Sequence, residues 1–113
     1  MSDPFRAIAD PTRRAILDVL AEGERSVSEL CACFDVSQPA ISQHLAVLRD
    51  AGLVVVRAEG RQRIYALHAD PLREVHDWSS HYERFWSTKL DALGAVLARE
   101  ARKPKITKKK DDR

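Results

Sequence analysis

The sequence predicts a mainly α-helical fold with one β-hairpin, and three observations support this. Residues 38–51 place apolar and polar side chains on opposite arcs of a helical wheel. A second short helix precedes this one across a very tight connection, so the pair forms a helix-turn-helix. Downstream, two β-rich segments separated by Glu59-Gly60 predict a hairpin over residues 53–67. A helix-turn-helix followed by a hairpin is a winged helix-turn-helix.

Two short helices are expected before the helix-turn-helix. Asp3-Pro4 and Asp10-Pro11 each predict a helix start, because aspartate caps the free N–H groups and proline is tolerated in a first turn. Gly23 ends the second of these helices. Its apolar stripe predicts that Ile16, Leu17 and Leu20 are buried.

The helix-turn-helix itself has clear boundaries. The segment Ser26-Val-Ser-Glu29 is a capping box that opens its first helix, and Ser37 is a suitable N-cap for its second. Gly52 closes the second helix. The apolar stripe of the first helix consists of Val27, Leu30, Cys31 and Phe34.

The second helix has an outer arc suited to DNA. This arc carries amide, hydroxyl and guanidinium groups, which read base edges in the major groove. We expect base or groove contacts from Gln38, Ser42, Gln43 and Arg49, with Ser37 acting as cap and phosphate contact. In the wing, strand alternation places Arg61 and Arg63 on one side, where they would contact the DNA backbone or minor groove. His44 falls within the inner arc and is expected to be a packed histidine.

A long last helix is expected to join two copies of the chain. Asp70-Pro71 opens it, and its pattern runs from Leu72 to about Arg99, roughly 40 Å at the helical rise. That length and its wide aromatic stripe exceed what one small domain needs, which favours a homodimer. The expected dimer surface comprises Phe5, Trp78, Tyr82, Phe85, Trp86, Leu90, Leu93 and Leu97.

Composition and charge limit the function. Residues 1–100 are predicted to form one DNA-binding and dimerisation domain with a small excess of acidic side chains. The tail, residues 101–113, carries seven basic and two acidic side chains and is predicted to be disordered. We expect a cytoplasmic protein, because no stretch resembles a secretory signal or a membrane span. Phosphate loops, nucleophile elbows and paired catalytic carboxylates are missing, so an enzyme is not expected.

Four segments together resemble the ArsR (SmtB/ArsR) family of bacterial winged-helix repressors. They are Asp10-Pro-Thr-Arg-Arg-Ala-Ile-Leu17, Ser26-Val-Ser-Glu-Leu30, Ser37-Gln-Pro-Ala-Ile-Ser-Gln-His-Leu45 and Leu48-Arg-Asp-Ala-Gly-Leu53. The resemblance implies a homodimeric, autoregulating transcriptional repressor whose recognition helix enters the major groove and whose wing touches flanking DNA. Two-fold symmetry then predicts an inverted-repeat operator on double-stranded DNA.

The cysteines leave an alternative open. Cys31-Ala-Cys33 resembles the arsenite-binding segment of arsenic-responsive members, which has a third cysteine where this chain has Val36. Two thiolates hold a soft ion only with a further ligand, and residues two apart on a regular helix point to different sides. We therefore expect no metal site or cofactor, with arsenite sensing through Cys31 and Cys33 as the alternative. A winged-helix adaptor that docks on proteins without binding DNA is a more remote one.

Overall fold

The structure, a computed structural model, describes residues 3–86 together with Gly94 and Leu97. The chain divides into two units, Met1–Trp78 and Ser79–Arg113. The first unit holds the helix-turn-helix and the wing, as the sequence predicts. The predicted tail, 101–113, and two members of the predicted dimer surface, Leu90 and Leu93, lie outside the described residues. Among the described helices, none is long and apolar enough to cross a membrane.

The two N-terminal helices begin as predicted. Helix α1 spans Pro4–Ala7 and α2 spans Pro11–Leu20. The carboxylates of Asp3 and Asp10 accept hydrogen bonds from backbone N–H groups three residues later, at 2.8 and 3.0 Å. The bond from the Arg13 N–H holds the pKa of Asp10 below its ordinary value, with smaller contributions from the His44 ring and the Arg13 guanidinium.

The helix-turn-helix consists of α3, Val27–Cys33, and α4, Gln38–Asp50. The capping box of α3 is fully formed: Ser26 Oγ accepts from the Glu29 N–H, and Glu29 accepts from the Ser26 N–H. Gly52, two residues after the end of α4, has a φ of +78°, and the Leu53 N–H donates to the carbonyl of Leu48 at 2.9 Å. This is a Schellman closure, which glycine permits at little cost.

The wing belongs to a three-stranded antiparallel sheet, one strand more than predicted. Strands β2, Val54–Glu59, and β3, Gln62–Leu67, form the hairpin, and β1, Arg25–Ser26, pairs with the other edge of β3. The strand β1 has two residues, too few to show an alternating pattern in the sequence. It is defined by its pairing with β3, in which Arg25 lies opposite Tyr65. The two-residue hairpin loop is Gly60-Arg61, since Glu59 pairs with Gln62.

One hydrophobic core joins these elements. Helix α4 contributes Ile41, Leu45 and Leu48, each at most 1% exposed. The remaining buried members come from α1, α2, α3, the strands and the connection between α4 and β2: Ala7, Ile16, Leu17, Leu20, Leu30, Leu53, Val54 and Tyr65. The inner arcs predicted for α2 and α4 are therefore confirmed.

The prediction of one continuous last helix from Leu72 is wrong, because that helix ends at Ser80. Helix α5 spans Leu72–Ser80, and a short 3-10 helix follows over Glu83–Phe85. The Tyr82 N–H donates to the Ser79 carbonyl at 3.0 Å, a three-residue spacing tighter than an α-helix. Serine hydroxyls compete for backbone hydrogen bonds and favour helix ends, so Ser79-Ser80 is a reasonable point of interruption.

The core position of α4 gives a stability prediction. Leu45→Ala removes a fully buried side chain and leaves a cavity, so the free energy of unfolding should fall by about 2–5 kcal/mol. Gln43→Ala, two residues earlier on the exposed arc, serves as the control and should change it by less than about 0.5 kcal/mol. Urea unfolding followed by circular dichroism measures both, and equal losses would contradict the assigned orientation of α4.

Candidate nucleic-acid interface

A groove separates α4 from the wing, and polar and cationic side chains line it. One wall is a single row along α4, with Gln38, Ser42, Ala46 and Arg49 at helical spacing. The opposite wall is the wing, and the start of α3 closes one end. These other walls contribute Ser26, Val27, Ser28, Arg61, Gln62, Arg63 and Tyr65. The groove thus brings together five of the seven predicted DNA-contact residues.

The other two predicted contacts lie beside the groove. Ser37 is exposed, and its hydroxyl accepts from the Ala40 N–H at 3.3 Å, so its role as N-cap is confirmed. Gln43 is exposed on the outer arc of α4 but does not line the groove. Gln43 projects about 100° around the helix axis from Ser42, which lines the groove. A binding partner wider than the groove would therefore reach Gln43.

The wing arginines reach the groove by two different routes. Arg63 lies in β3 and shares a face with Tyr65, as the alternation predicts. Arg61 lies in the hairpin loop one residue before β3, so strand alternation does not determine its direction, but it lines the same groove as Arg63. Gly60 permits the loop with a φ of +62°.

The third wing arginine is held on the opposite face of the sheet. Arg57 lies across from Ile64, and its guanidinium donates to both carboxylate oxygens of Glu24, at 2.7 and 2.8 Å, and to Glu59 at 3.2 Å. The Arg57 hydrogen bonds lower the pKa of Glu24, and the two carboxylates raise that of Arg57. Within residues 3–86, no ion pair engages Arg49, Arg61 or Arg63, so the positive charge of the groove is not neutralised locally.

Among the exposed residues that line the groove, sequence reasoning missed three. Ser28 lies in the first turn of α3, Gln62 begins β3, and Ala46 continues the row of Gln38 and Ser42. The position of Ala46 on the outer arc was visible from helical spacing. Ser28 and Gln62 carried no such signal, because their place in the groove depends on how α3 and the hairpin pack against α4.

His44 points away from the groove, as predicted. Its ring is 23% exposed and contacts α2, with Nδ1 3.3 Å from an Arg13 guanidinium nitrogen and 3.8 Å from Asp10 Oδ2. It is therefore a packed histidine and has no direct access to a ligand in the groove.

The two cysteines occupy different environments. Cys31 is half-buried and packs against the core, whereas Cys33 is exposed two residues later on the same regular helix. Both thiols are free. In the part of the chain that the structure describes, no cluster of three or more cysteine, histidine or acidic side chains is placed to hold a metal ion.

The helix-turn-helix, the wing and the cationic groove define a winged-helix regulator, and comparison with known proteins gives its family. Residues 10–56 match the model of the bacterial regulatory proteins of the arsR family. The chain is 40% identical to the HTH-type transcriptional regulator Rv2034 of Mycobacterium tuberculosis strain H37Rv, over 85% of this chain and 87% of that protein. It is 35% identical to the arsenical resistance operon repressor of Escherichia coli K12, over 87% and 82% of the two chains.

A solved structure agrees with this assignment. The crystal structure of a possible transcriptional regulator for arsenical resistance superposes with a TM-score of 0.64 at 41% identity, covering 85% of this chain and 97% of that one. The chain therefore belongs to the arsR family of bacterial regulatory proteins, whose members are transcriptional regulators and not enzymes. Members of this family bind DNA and are typically dimeric.

The environments of the two cysteines predict how serine substitutions change stability and whether arsenite affects DNA binding. Cys31→Ser should lower the free energy of unfolding by about 1–3 kcal/mol, because it places a hydroxyl against the apolar core. Cys33→Ser should leave stability unchanged because that side chain is exposed, and it is the matched control. Arsenite should not release the wild type from DNA. Arsenite-induced release that disappears in Cys33→Ser would contradict this and establish metalloid sensing.

Proposed function

We propose that this protein is a homodimeric, sequence-specific DNA-binding repressor that regulates its own gene. The groove carries the proposal, because it combines hydrogen-bonding side chains on an exposed helix with arginines on a wing. Within residues 3–86, none of the groove arginines Arg49, Arg61 and Arg63 forms an ion pair. Family membership supports the same conclusion, since the Escherichia coli relative is named as an operon repressor.

Helix α4 is proposed to read base edges. Its exposed row presents side chains that are small near the middle and longer at the ends, and an α-helix fits the major groove of B-DNA. The Gln38 and Gln43 amides suit the paired donor and acceptor of adenine, while Ser42 suits either donors or acceptors. Arg49, in the last turn, suits guanine or a phosphate, and Ser37 is placed at the helix start for a phosphate contact.

The wing is proposed to bind flanking DNA without reading sequence. Arg61 at the hairpin tip and Arg63 beside it present positive charge that phosphates or a narrow minor groove attract. Such contacts release counterions and make affinity depend steeply on salt. The ion-paired Arg57 faces the other side of the sheet and does not belong to this contact.

Exposed aromatic side chains support a homodimer. In the first unit, Phe5 packs edge-to-face on Trp78 with ring centroids 5.8 Å apart, and Trp78 is 53% exposed. In the second unit, Tyr82, Phe85 and Trp86 are also exposed, as is Leu97. Apolar surface of this kind is unfavourable in water, and a second copy of the chain would cover it. Two-fold symmetry then calls for an inverted-repeat operator.

Substitutions in the groove test the recognition of DNA. An operator is first selected from a random pool of duplexes. Gln38→Ala and Gln43→Ala should each reduce discrimination between that operator and scrambled DNA by about 1–3 kcal/mol, and Ser42→Ala by less. Arg61→Ala and Arg63→Ala should weaken both duplexes and reduce the salt slope by about one each.

Arg73→Ala, an exposed arginine of α5 that does not line the groove, is the control and should behave like the wild type. Unchanged discrimination in all three α4 variants would refute the assignment of the recognition helix. A wild type that binds no duplex at any salt concentration would favour a protein-docking adaptor.

Sedimentation tests the dimer. The wild type should sediment as a dimer at micromolar concentration, and Phe85→Glu should shift it toward monomer because a buried carboxylate would face apolar surface. Val55→Glu places the same charge at another exposed apolar residue, 53% exposed on β2, and should remain dimeric. A monomeric wild type would refute the proposal, and equal effects of both variants would refute the assigned surface.

A further inference from the structure

A polar cluster lies on the side of α4 that faces away from the groove. The guanidinium of Arg13, on α2, donates through Nε to the carbonyl of Ala7 at 2.6 Å and through one Nη to the carbonyl of Arg6 at 3.2 Å. These carbonyls belong to the C-terminal end of α1, where an α-helix leaves acceptors unsatisfied. One side chain on α2 thus holds the end of α1.

The remaining guanidinium nitrogen of Arg13 reaches α4. It lies 3.3 Å from His44 Nδ1, and because a guanidinium can only donate, the imidazole nitrogen must be the acceptor. The Asp10 carboxylate, 3.8 Å from the same nitrogen, caps α2 and completes the polar surroundings of the ring. Three helices therefore meet at one part-buried hydrogen-bonded cluster.

The contacts that bury α4 in the core are apolar. Ile41, Leu45 and Leu48 bury the helix in the core, but hydrophobic contact is non-directional and tolerates small rotations. A hydrogen bond is directional and weakens steeply when its geometry is lost. With side-chain tips roughly 5 Å from the helix axis, a rotation of about 10° moves an atom of Gln38 or Ser42 by roughly 1 Å. That displacement is enough to spoil a base contact.

We propose that Arg13 and His44 are positioning residues that fix the rotation of α4 against α1 and α2. They thereby set the sequence discrimination of the DNA-binding surface without touching DNA. This inference rests on the proposed function, because it concerns how the same helix recognises bases.

The chain provides a matched control one residue away. Arg14 also donates to a carbonyl at the end of α1, that of Ile8, at 2.6 Å, but its side chain is exposed and the described residues show no hydrogen bond from it to α4. Arg14→Ala therefore removes a bond between α2 and the end of α1 and leaves the contact between Arg13 and His44 intact.

The experiment measures dissociation constants for the selected operator and for scrambled DNA, together with urea unfolding of each variant. Arg13→Lys and His44→Leu should each reduce the ratio of the two dissociation constants about tenfold. His44→Asn should retain most of the ratio, because its side-chain oxygen can accept near the position of Nδ1. Arg14→Ala should retain all of it.

Loss of folded protein alone would weaken operator and scrambled DNA by the same factor and leave the ratio unchanged. An unchanged ratio in both Arg13→Lys and His44→Leu, in a wild type that discriminates, would overturn the positioning role and leave the proposed function standing. An equal loss of the ratio in Arg14→Ala would also overturn it. A wild type that does not discriminate at all would overturn the proposed function, and this inference with it.

Discussion

The burial of one face of α4 is the interaction on which the rest of the structure depends. Ile41, Leu45 and Leu48 are spaced so that all three point to one side, and each is at most 1% exposed. Burying such side chains contributes roughly 1.5–3 kcal/mol each, so the three together are comparable in size with the net stability of a small domain. Once this face is inside, helical geometry requires that Gln38, Ser42 and their row face solvent. The polar groove is therefore a direct consequence of hydrophobic packing.

Side-chain caps make that packing achievable with very short helices. Helices of four to thirteen residues, such as α1 and α4, are marginal on their own because helix nucleation is costly. The caps at Asp3, Asp10, Ser26 and Ser37 each satisfy a backbone N–H that would otherwise be left unpaired. They also fix where each helix begins, which sets the lengths of the connections and the tight turn between α3 and α4.

Strand geometry separates the charges of the wing. On one face of β3, Arg63 points toward the groove, while on the other the neighbouring strand holds Arg57 between Glu24 and Glu59. Because successive side chains of a strand alternate, the acidic groups are kept away from the surface that would meet phosphates. The chain as a whole is only weakly basic, with a net charge of +2, so this local separation matters more for DNA binding than overall charge.

The sequence by itself determined the features that depend on neighbours within a few residues. Four helix starts, the closure of α4 at Gly52, the two arcs of α4 and the hairpin all follow from caps, periodicity and turn chemistry. These signals also sufficed to place five of the seven predicted contact residues in one groove. They failed at Ser80, because the apolar stripe continues past this residue and predicted a helix that continues with it, whereas α5 ends there.

The tertiary structure alone decided the pairings between distant segments. Strand β1 depends on its pairing with β3, in which Arg25 lies opposite Tyr65. Arg57 forms its ion pair with Glu24, which is 33 residues earlier in the chain. The bond between Arg13 and His44 joins residues 31 positions apart, and Ser28 and Gln62 reach the groove only after α3 and the hairpin have packed. No local pattern encodes such contacts, because each depends on the relative placement of elements that the shared core brings together.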